Sequence, residues 1–493
     1  MKKGLSALLC VVALLLITSC GKKSDYRMAI PANAGLVLGI DSKSITEKSG
    51  MNGEAEQAKI GEFLKENLDS SLYSYAETLM KNPNESGLDL SVPVYFYYTS
   101  PGEVGLIIKV SDEQKVKALF GKLNDQKACP ALESKSGVQC VTLDKQVAVA
   151  FNESALLLIG DVNSSASLMD KGVALLTQKE EQSFMSKKDL FKAFNDLKGD
   201  MTCAVSYGSI MPAQYMDIMK SSLPENLKLS DINVLLSLNF EQGKIAMKGT
   251  SFYLGDEAKE WAKKSEAAVM PLKGLFLPQA EPLFWMGIGL KGDKLFDMLM
   301  EYPQYAQQMK PMEPMLRKVF SAIEGDFVIS MPSMVQGAAE MCVNVELKKG
   351  QEKDFFTTIS GLIQSLGMPL SSAGENAYNL TLPGGKLTFG LDKDSRFYLT
   401  FKNMDTEAVE AAPVDWTKEV AGNLVYYRFD FGKLVSSLAP FMASQQNMQC
   451  LELFDYFDVK TKDNTTALIE VVMKNQDENV LKQFVDIAKS LNE

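Results

Sequence analysis

Short runs of alternating apolar and polar residues dominate this chain, the pattern of half-buried strands, and helical spacing interrupts them at intervals. In the first half the pattern predicts strands over 35–41, 92–98 and 105–110. A helix follows over 113–123, with Val116, Leu119, Phe120 and Leu123 on one face. Further strands are predicted over 139–144, 147–151, 155–159, 198–207 and 233–253. The second half repeats the order. Strands over 282–290, 326–331 and 342–347 are interleaved with a helix over 291–300. A second helix over 352–366 carries Phe355, Phe356, Ile359, Ile363 and Leu366, and strands over 377–382, 386–391, 397–401, 421–430 and 455–473 follow.

Strand, strand, helix, then a meander of strands is not the alternation of a parallel sheet. It predicts an α+β fold of two similar halves, each an antiparallel sheet with helices packed on one face. The internal duplication is one of pattern, with little residue identity. A motif of an apolar residue, any residue, glycine, then Asp or Asn recurs at Leu197, Ile323 and Val420, and a glycine that stops a helix before a strand is the simple physical reading. The expected organisation is a leader over 1–19, a tether over 20–30, a first half over 31–265, a linker over 266–279 with Pro271 and Pro278, and a second half over 280–493. A chain of 493 residues exceeds what one core usually serves.

The leader changes the picture most. Lys2 and Lys3 precede an apolar run over 5–17, too short to span a bilayer, which takes ~20 apolar residues. Ile17, Thr18, Ser19 and Cys20 resemble a bacterial lipobox, which implies cleavage before Cys20 and acylation of its thiol with palmitate-like chains. Several acyl chains anchor stably where one binds reversibly. Residues 21–25 lack both the aspartate of inner-membrane retention and an acidic export cluster, so the resemblance implies an outer-membrane anchor with the body in the periplasm.

Composition narrows the chemistry. The net charge is -11, with the acids scattered, which disfavours nucleic acid as a partner. There is no histidine, so Ser-His-Asp and Cys-His nucleophiles and histidine-ligated metals are excluded. No metal or cofactor motif stands out. Of seven cysteines, Cys129 and Cys140 flank a short polar stretch and are disulfide candidates in an oxidising compartment. Cys203 and Cys342 lie in strand-like runs, and Cys450 has no evident partner.

Three motifs read as ordinary surface. The glycines of 383–386 form a hairpin turn rather than a phosphate loop, which needs Gly-x4-Gly-Lys-Ser/Thr before a helix. Asp392 and Asp394 begin a calcium-loop pattern that lacks its glycine and its glutamate. Glu452, Asp455 and Asp458 would share a helix face, opposite Leu451, Leu453, Phe454 and Phe457, and read as a solvated acidic stripe.

Methionine is the unusual feature, with 26 in the chain. Met211, Met216 and Met219 form one cluster; Met298, Met300, Met309, Met312 and Met315 form another, broken by Pro303, Pro311 and Pro314. Flexible, polarisable thioethers suit surfaces that take varied apolar partners, although core filling also uses them. Met211, Met216, Met219, Met309, Met312 and Met315 are the candidate apolar binding surface.

The lipobox, the duplication and the opening over 30–38 together resemble a group of Bacteroidetes lipoproteins that share a domain of unknown function. The resemblance implies an envelope location and no catalytic residue. The reading is a non-catalytic envelope lipoprotein, held at the membrane by its lipid, that binds a ligand or an envelope protein. The alternative is a carboxylate-dependent glycan hydrolase, which needs two acids ~5–10 Å apart in a cleft.

Overall fold

The structure is a computed structural model. It describes residues 25–490 apart from 69, 101, 145, 162–166, 211–222, 225–226, 333, 336–337, 383–384, 403–413 and 439–450. Cys20, Cys450, Met211, Met216 and Met219 lie outside the described residues. Two units partition the chain. Unit one takes Met1–Met216, Leu229–Gln242 and Glu478–Glu493; unit two takes Asp217–Lys228 and Gly243–Asp477.

Unit one opens with β1 (Leu36–Ile40), α1 (Ser42–Lys48), α2 (Glu54–Asn67) and α3 (Ser70–Lys81). Then come β2 (Val94–Thr99), β3 (Glu103–Val110), α4 (Glu113–Asp125), β4 (Glu133–Lys135), β5 (Val138–Asp144), β6 (Val147–Phe151) and β7 (Ala155–Asp161). After α5 (Leu168–Leu176) and α6 (Lys188–Asn195), β8 (Met201–Ser206) and β9 (Ile232–Phe240) complete its strands. All pairings are antiparallel: β1 lies between β2 and β8, with Val37 opposite Tyr97 and Ala204. Aspartates start two helices: Asp41 accepts from Ser44 N, and Asp112 from Gln114 N and Lys115 N. Asp200 is buried between β8 and its neighbours and accepts from Ser44 Oγ (2.5 Å), Lys48 Nζ (2.6 Å) and Phe240 N (2.6 Å).

Helices on one face only is not what unit one shows. Val116, Leu119, Phe120 and Leu123 of α4 pack with Val141, Val149, Phe151 and Leu156. Cys140 and Ala150, adjacent in β5 and β6 to Val141 and Val149, instead meet Met169, Val173 and Leu176 of α5. The cause lies in β6, buried from Ala148 to Phe151. A strand apolar on both faces must be covered on both.

Unit two starts with β10 (Lys244–Tyr253) and α7 (Asp256–Ala267), then β11 (Phe284–Lys291), α8 (Gly292–Leu299), α9 (Pro303–Met309) and α10 (Glu313–Ser321). The sheet continues through β12 (Ile323–Met331), β13 (Met341–Leu347), α11 (Glu352–Ser365), β14 (Ser371–Gly374), β15 (Ala377–Leu382), β16 (Gly385–Leu391) and β17 (Phe397–Lys402). β18 (Val425–Asp430), α12 (Phe431–Leu438), β19 (Phe454–Thr461) and β20 (Thr466–Met473) follow, and the last helix, α13 (Val480–Ser490), returns to unit one. One core lies between the sheet and α11, where Phe355 and Phe356 meet Val345, Phe389 and Phe397. On the other side, Trp285, Val328 and Tyr426 are closed by Leu272, Trp416 and Val420. Burying a large apolar side chain stabilises by roughly 1.5–3 kcal/mol, and Trp285, with no exposed surface, is the largest such residue.

The chain passes between the units more than once, and the crossing nearest the expected linker is Gln242/Gly243; residues 266–279 lie inside unit two. Pairing decides it: β10 is tied to β20, Met247 opposite Ile469, and residues 266–279 are absorbed into unit two by bonds such as Met270 N to Gly289 O (3.0 Å) and Leu272 N to Asn423 O (2.7 Å). Among the described residues no helix is long and apolar enough to cross a membrane.

Candidate functional site

A cluster of polar and charged residues lies on the sheet of unit two. Alternation along β18 and β19 places Tyr426 and Arg428, and Tyr456, Asp458 and Lys460, on one face. Arg428 stands opposite Trp285 on one side and Asp458 on the other; Asp458 in turn stands opposite Glu470 of β20. Arg428 Nε donates to Glu281 Oε1 (2.8 Å), and its guanidinium lies 3.7 Å from the centre of the Tyr456 ring and 5.3 Å from that of Trp416. Trp416 Nε1 donates to the other oxygen of Glu281 (2.8 Å), and Lys433 Nζ donates to the Glu281 carbonyl. The planar guanidinium is thus stacked and bonded at once, which an ammonium could not reproduce.

Asp458 is 2% exposed. Its Oδ2 lies 3.5 Å from Tyr426 Oη, 3.6 Å from Lys460 Nζ and 3.8 Å from Arg428, while Oδ1 has no hydrogen-bond partner among the described residues. Burial pushes its carboxyl above the usual range and outweighs the two cations. Asp430 is raised for the same reason, against the opposing bond from Lys433 N. Glu470 goes the other way: burial opposes ionisation, but Lys244 (2.5 Å) and Lys460 (3.5 Å) hold it below the usual range. Lys460 also pairs with Glu419 (2.6 Å).

Each cation here faces carboxylates, and the aromatic rings close the face. Such an arrangement holds strands in register and can shift a proton at Asp458. The acidic stripe read from the sequence is not on a helix: Glu452 lies in the turn before β19, Asp455 at a bulge between Phe454 and Tyr456, and Asp458 within the regular strand, so the three do not share a helical face. No group of three or more Cys, Asp or Glu that could hold a metal occurs among the described residues. A separate cavity of about 230 Å³ is lined by Ser251, Leu424, Thr461, Asn464, Thr465 and Thr466. Asp463 also lines it, and its carboxylate accepts from Thr465 N (2.9 Å) and Thr466 N (2.7 Å).

The disulfide candidates are separate free thiols. Cys129 sits in the α4 core and reaches the Phe120 carbonyl at 3.9 Å; Cys140 faces α5 and reaches the Glu133 carbonyl at 3.5 Å. They lie on opposite faces of β5, so loop length alone misleads. Of the methionines, Met312 is 42% exposed, while Met298, Met300, Met309 and Met315 are half-buried. Tyr305, 40% exposed, joins that region, and the clustering of methionines in the sequence does not point to it. Arg428 and Asp458 were equally illegible as a pair, since only sheet register brings them together.

The architecture is that of a two-unit α+β protein built on antiparallel sheet. The chain belongs to the family described as "Domain of unknown function (DUF4836)", matched over residues 26–481. No curated protein matches it. Among solved structures it is similar to crystal form III of TP0453, at 12% identity, covering 50% of this chain and 88% of that one, with a TM-score of 0.26. Crystal form I gives 11% identity, 50% and 87% coverage, and a TM-score of 0.26.

Proposed function

We propose that the protein is a non-catalytic envelope lipoprotein, cleaved before Cys20, anchored by lipid in the outer membrane and facing the periplasm. It carries one α+β unit twice and binds the apolar face of a helical segment of another envelope protein. The observation that supports binding is the stripe Tyr302, Tyr305, Met309 and Met312. Tyr305 and Met309 are four apart on α9, the Tyr302 ring at its N-cap lies 5.8 Å from that of Tyr305, and Met312 ends the 3-10 turn that follows; Tyr305 and Met312 are exposed. Exposed large apolar residues grouped in this way mark interaction surfaces more often than single ones do.

A photo-crosslinking residue at position 312, in cells making the full chain, tests it. The expected result is a discrete adduct that Tyr305→Glu abolishes and that the same residue at Leu366, also exposed, does not give. Equal labelling from both positions overturns the surface. Cys20→Ala is expected to lose palmitate labelling; unchanged labelling overturns the anchor.

A further inference from the structure

Strands pair in the same order in the two units. In unit one the order is β9–β8–β1–β2–β3–β7–β6–β5–β4. In unit two it is β19–β18–β11–β12–β13–β17–β16–β15–β14. Helices fall at matching places: α1 follows β1 as α8 follows β11, and α4 follows β3 as α11 follows β13. By this correspondence β10 and α7 close the first copy, and β20 and α13 close the second.

Neither α7 nor α13 stays with its own copy. α7 belongs to unit two, where Trp261 Nε1 donates to Tyr302 Oη (2.9 Å) and Lys264 pairs with Glu301 (2.8 Å), both just beyond α8. α13 belongs to unit one, where Lys489 pairs with Glu56 (2.9 Å) in the first turn of α2, the helix after α1, and Val480 N donates to Glu241 O (3.1 Å). Lys264 and Lys489 each lie in the last turn of their helix, so the two ion pairs are counterparts. β10 likewise lies in unit two, against β20, its own counterpart.

We infer that the two copies exchange their closing segments: β10 and α7 of the first complete unit two, and α13 of the second completes unit one. This rests on the duplication proposed above. The exchange makes each unit depend on a segment encoded in the other half, as in domain swapping, but within one chain.

Zero-length carbodiimide coupling of the unmodified full chain, with peptide mass spectrometry, tests it. The expected crosslinks are Lys489–Glu56 and Lys264–Glu301. Lys489→Arg keeps the charge, lacks the amine, and removes only the first. Lys81–Glu77, 2.8 Å apart within one helix, is the coupling control. The unexchanged arrangement instead gives Lys489–Glu301 and Lys264–Glu56, which overturns the exchange and leaves the duplication standing. Crosslinks joining light and heavy chains in an isotope mixture also overturn it, because the exchange then runs between molecules. Loss of both expected pairs while the control couples does so too. The duplication fails separately if an experimental structure shows that the β1–β9 and β11–β19 sheets do not superpose.

Discussion

Replacing Arg428 by methionine keeps most of the stem and removes the charge. Glu281 loses its 2.8 Å partner, and buried Asp458 retains Lys460 as its neighbouring cation. Removing one member of a buried ion pair costs ~3–5 kcal/mol. The Arg428 side chain is 11% exposed and that of Glu281 29%, so water relieves part of the loss and the low end applies, about 3 kcal/mol. Lost stacking on Tyr456 adds ~0.5–1 kcal/mol. For a unit of this size each kcal/mol shifts Tm by ~2–4 °C, so a summed loss of about 3.5–4 kcal/mol lowers it by roughly 7–16 °C. Tryptophan fluorescence is the right readout, because all three tryptophans, Trp261, Trp285 and Trp416, belong to unit two. Adding Glu281→Gln to Arg428→Met is expected to cost less than the two single losses summed, since the two residues share one bond. A Tm within 2 °C of the parent for Arg428→Met, a threshold below the ~2–4 °C that a single kcal/mol would give, refutes the reasoning.

Asp458→Asn carries a pH signature. The folded carboxyl titrates above its unfolded value, so its contribution is fully present at low pH and is lost as pH rises through the folded value. The variant is therefore expected to gain Tm relative to the parent at pH 8 and not at pH 4; the reverse order contradicts the burial argument. Gly289→Ala puts a methyl into the Met270 carbonyl between packed backbones and is expected to cost ~1–3 kcal/mol or more, whereas Gly361→Ala, with nothing near it inside α11, should gain ~0.5–1 kcal/mol in a urea melt. Reversed signs would show that the local packing is misjudged. Cys129 and Cys140 are expected to count as two thiols by mass after alkylation in denaturant, with Tm insensitive to reductant; a bridge would instead contribute about 3 kcal/mol. The Cys203 thiol, pushed up to about 11 by burial, should resist iodoacetamide at pH 8 until the chain unfolds.

The residue pattern alone placed most strands and the helices α4, α8 and α11, because a half-buried element writes its own period into the sequence. Val147–Phe151 and Ala377–Leu382 match the expected bounds, and the turn at Asp392 was legible from its chemistry: its carboxylate accepts from Asp394 N and Arg396 N, both at 2.9 Å. The lack of histidine fixed which chemistries are closed to the chain. What tertiary structure decided is everything that depends on register between distant strands. Arg428 reaches Asp458 only because β18 and β19 align, and Glu281 reaches Arg428 across 147 positions of sequence. Cys129 and Cys140 are near in sequence but face opposite sides of one sheet. The return of α13 to unit one has no local cause. Its period says that one face is apolar but not which unit that face covers, and partners such as Glu56 and Glu241 lie hundreds of positions away in sequence, where no periodicity can name them.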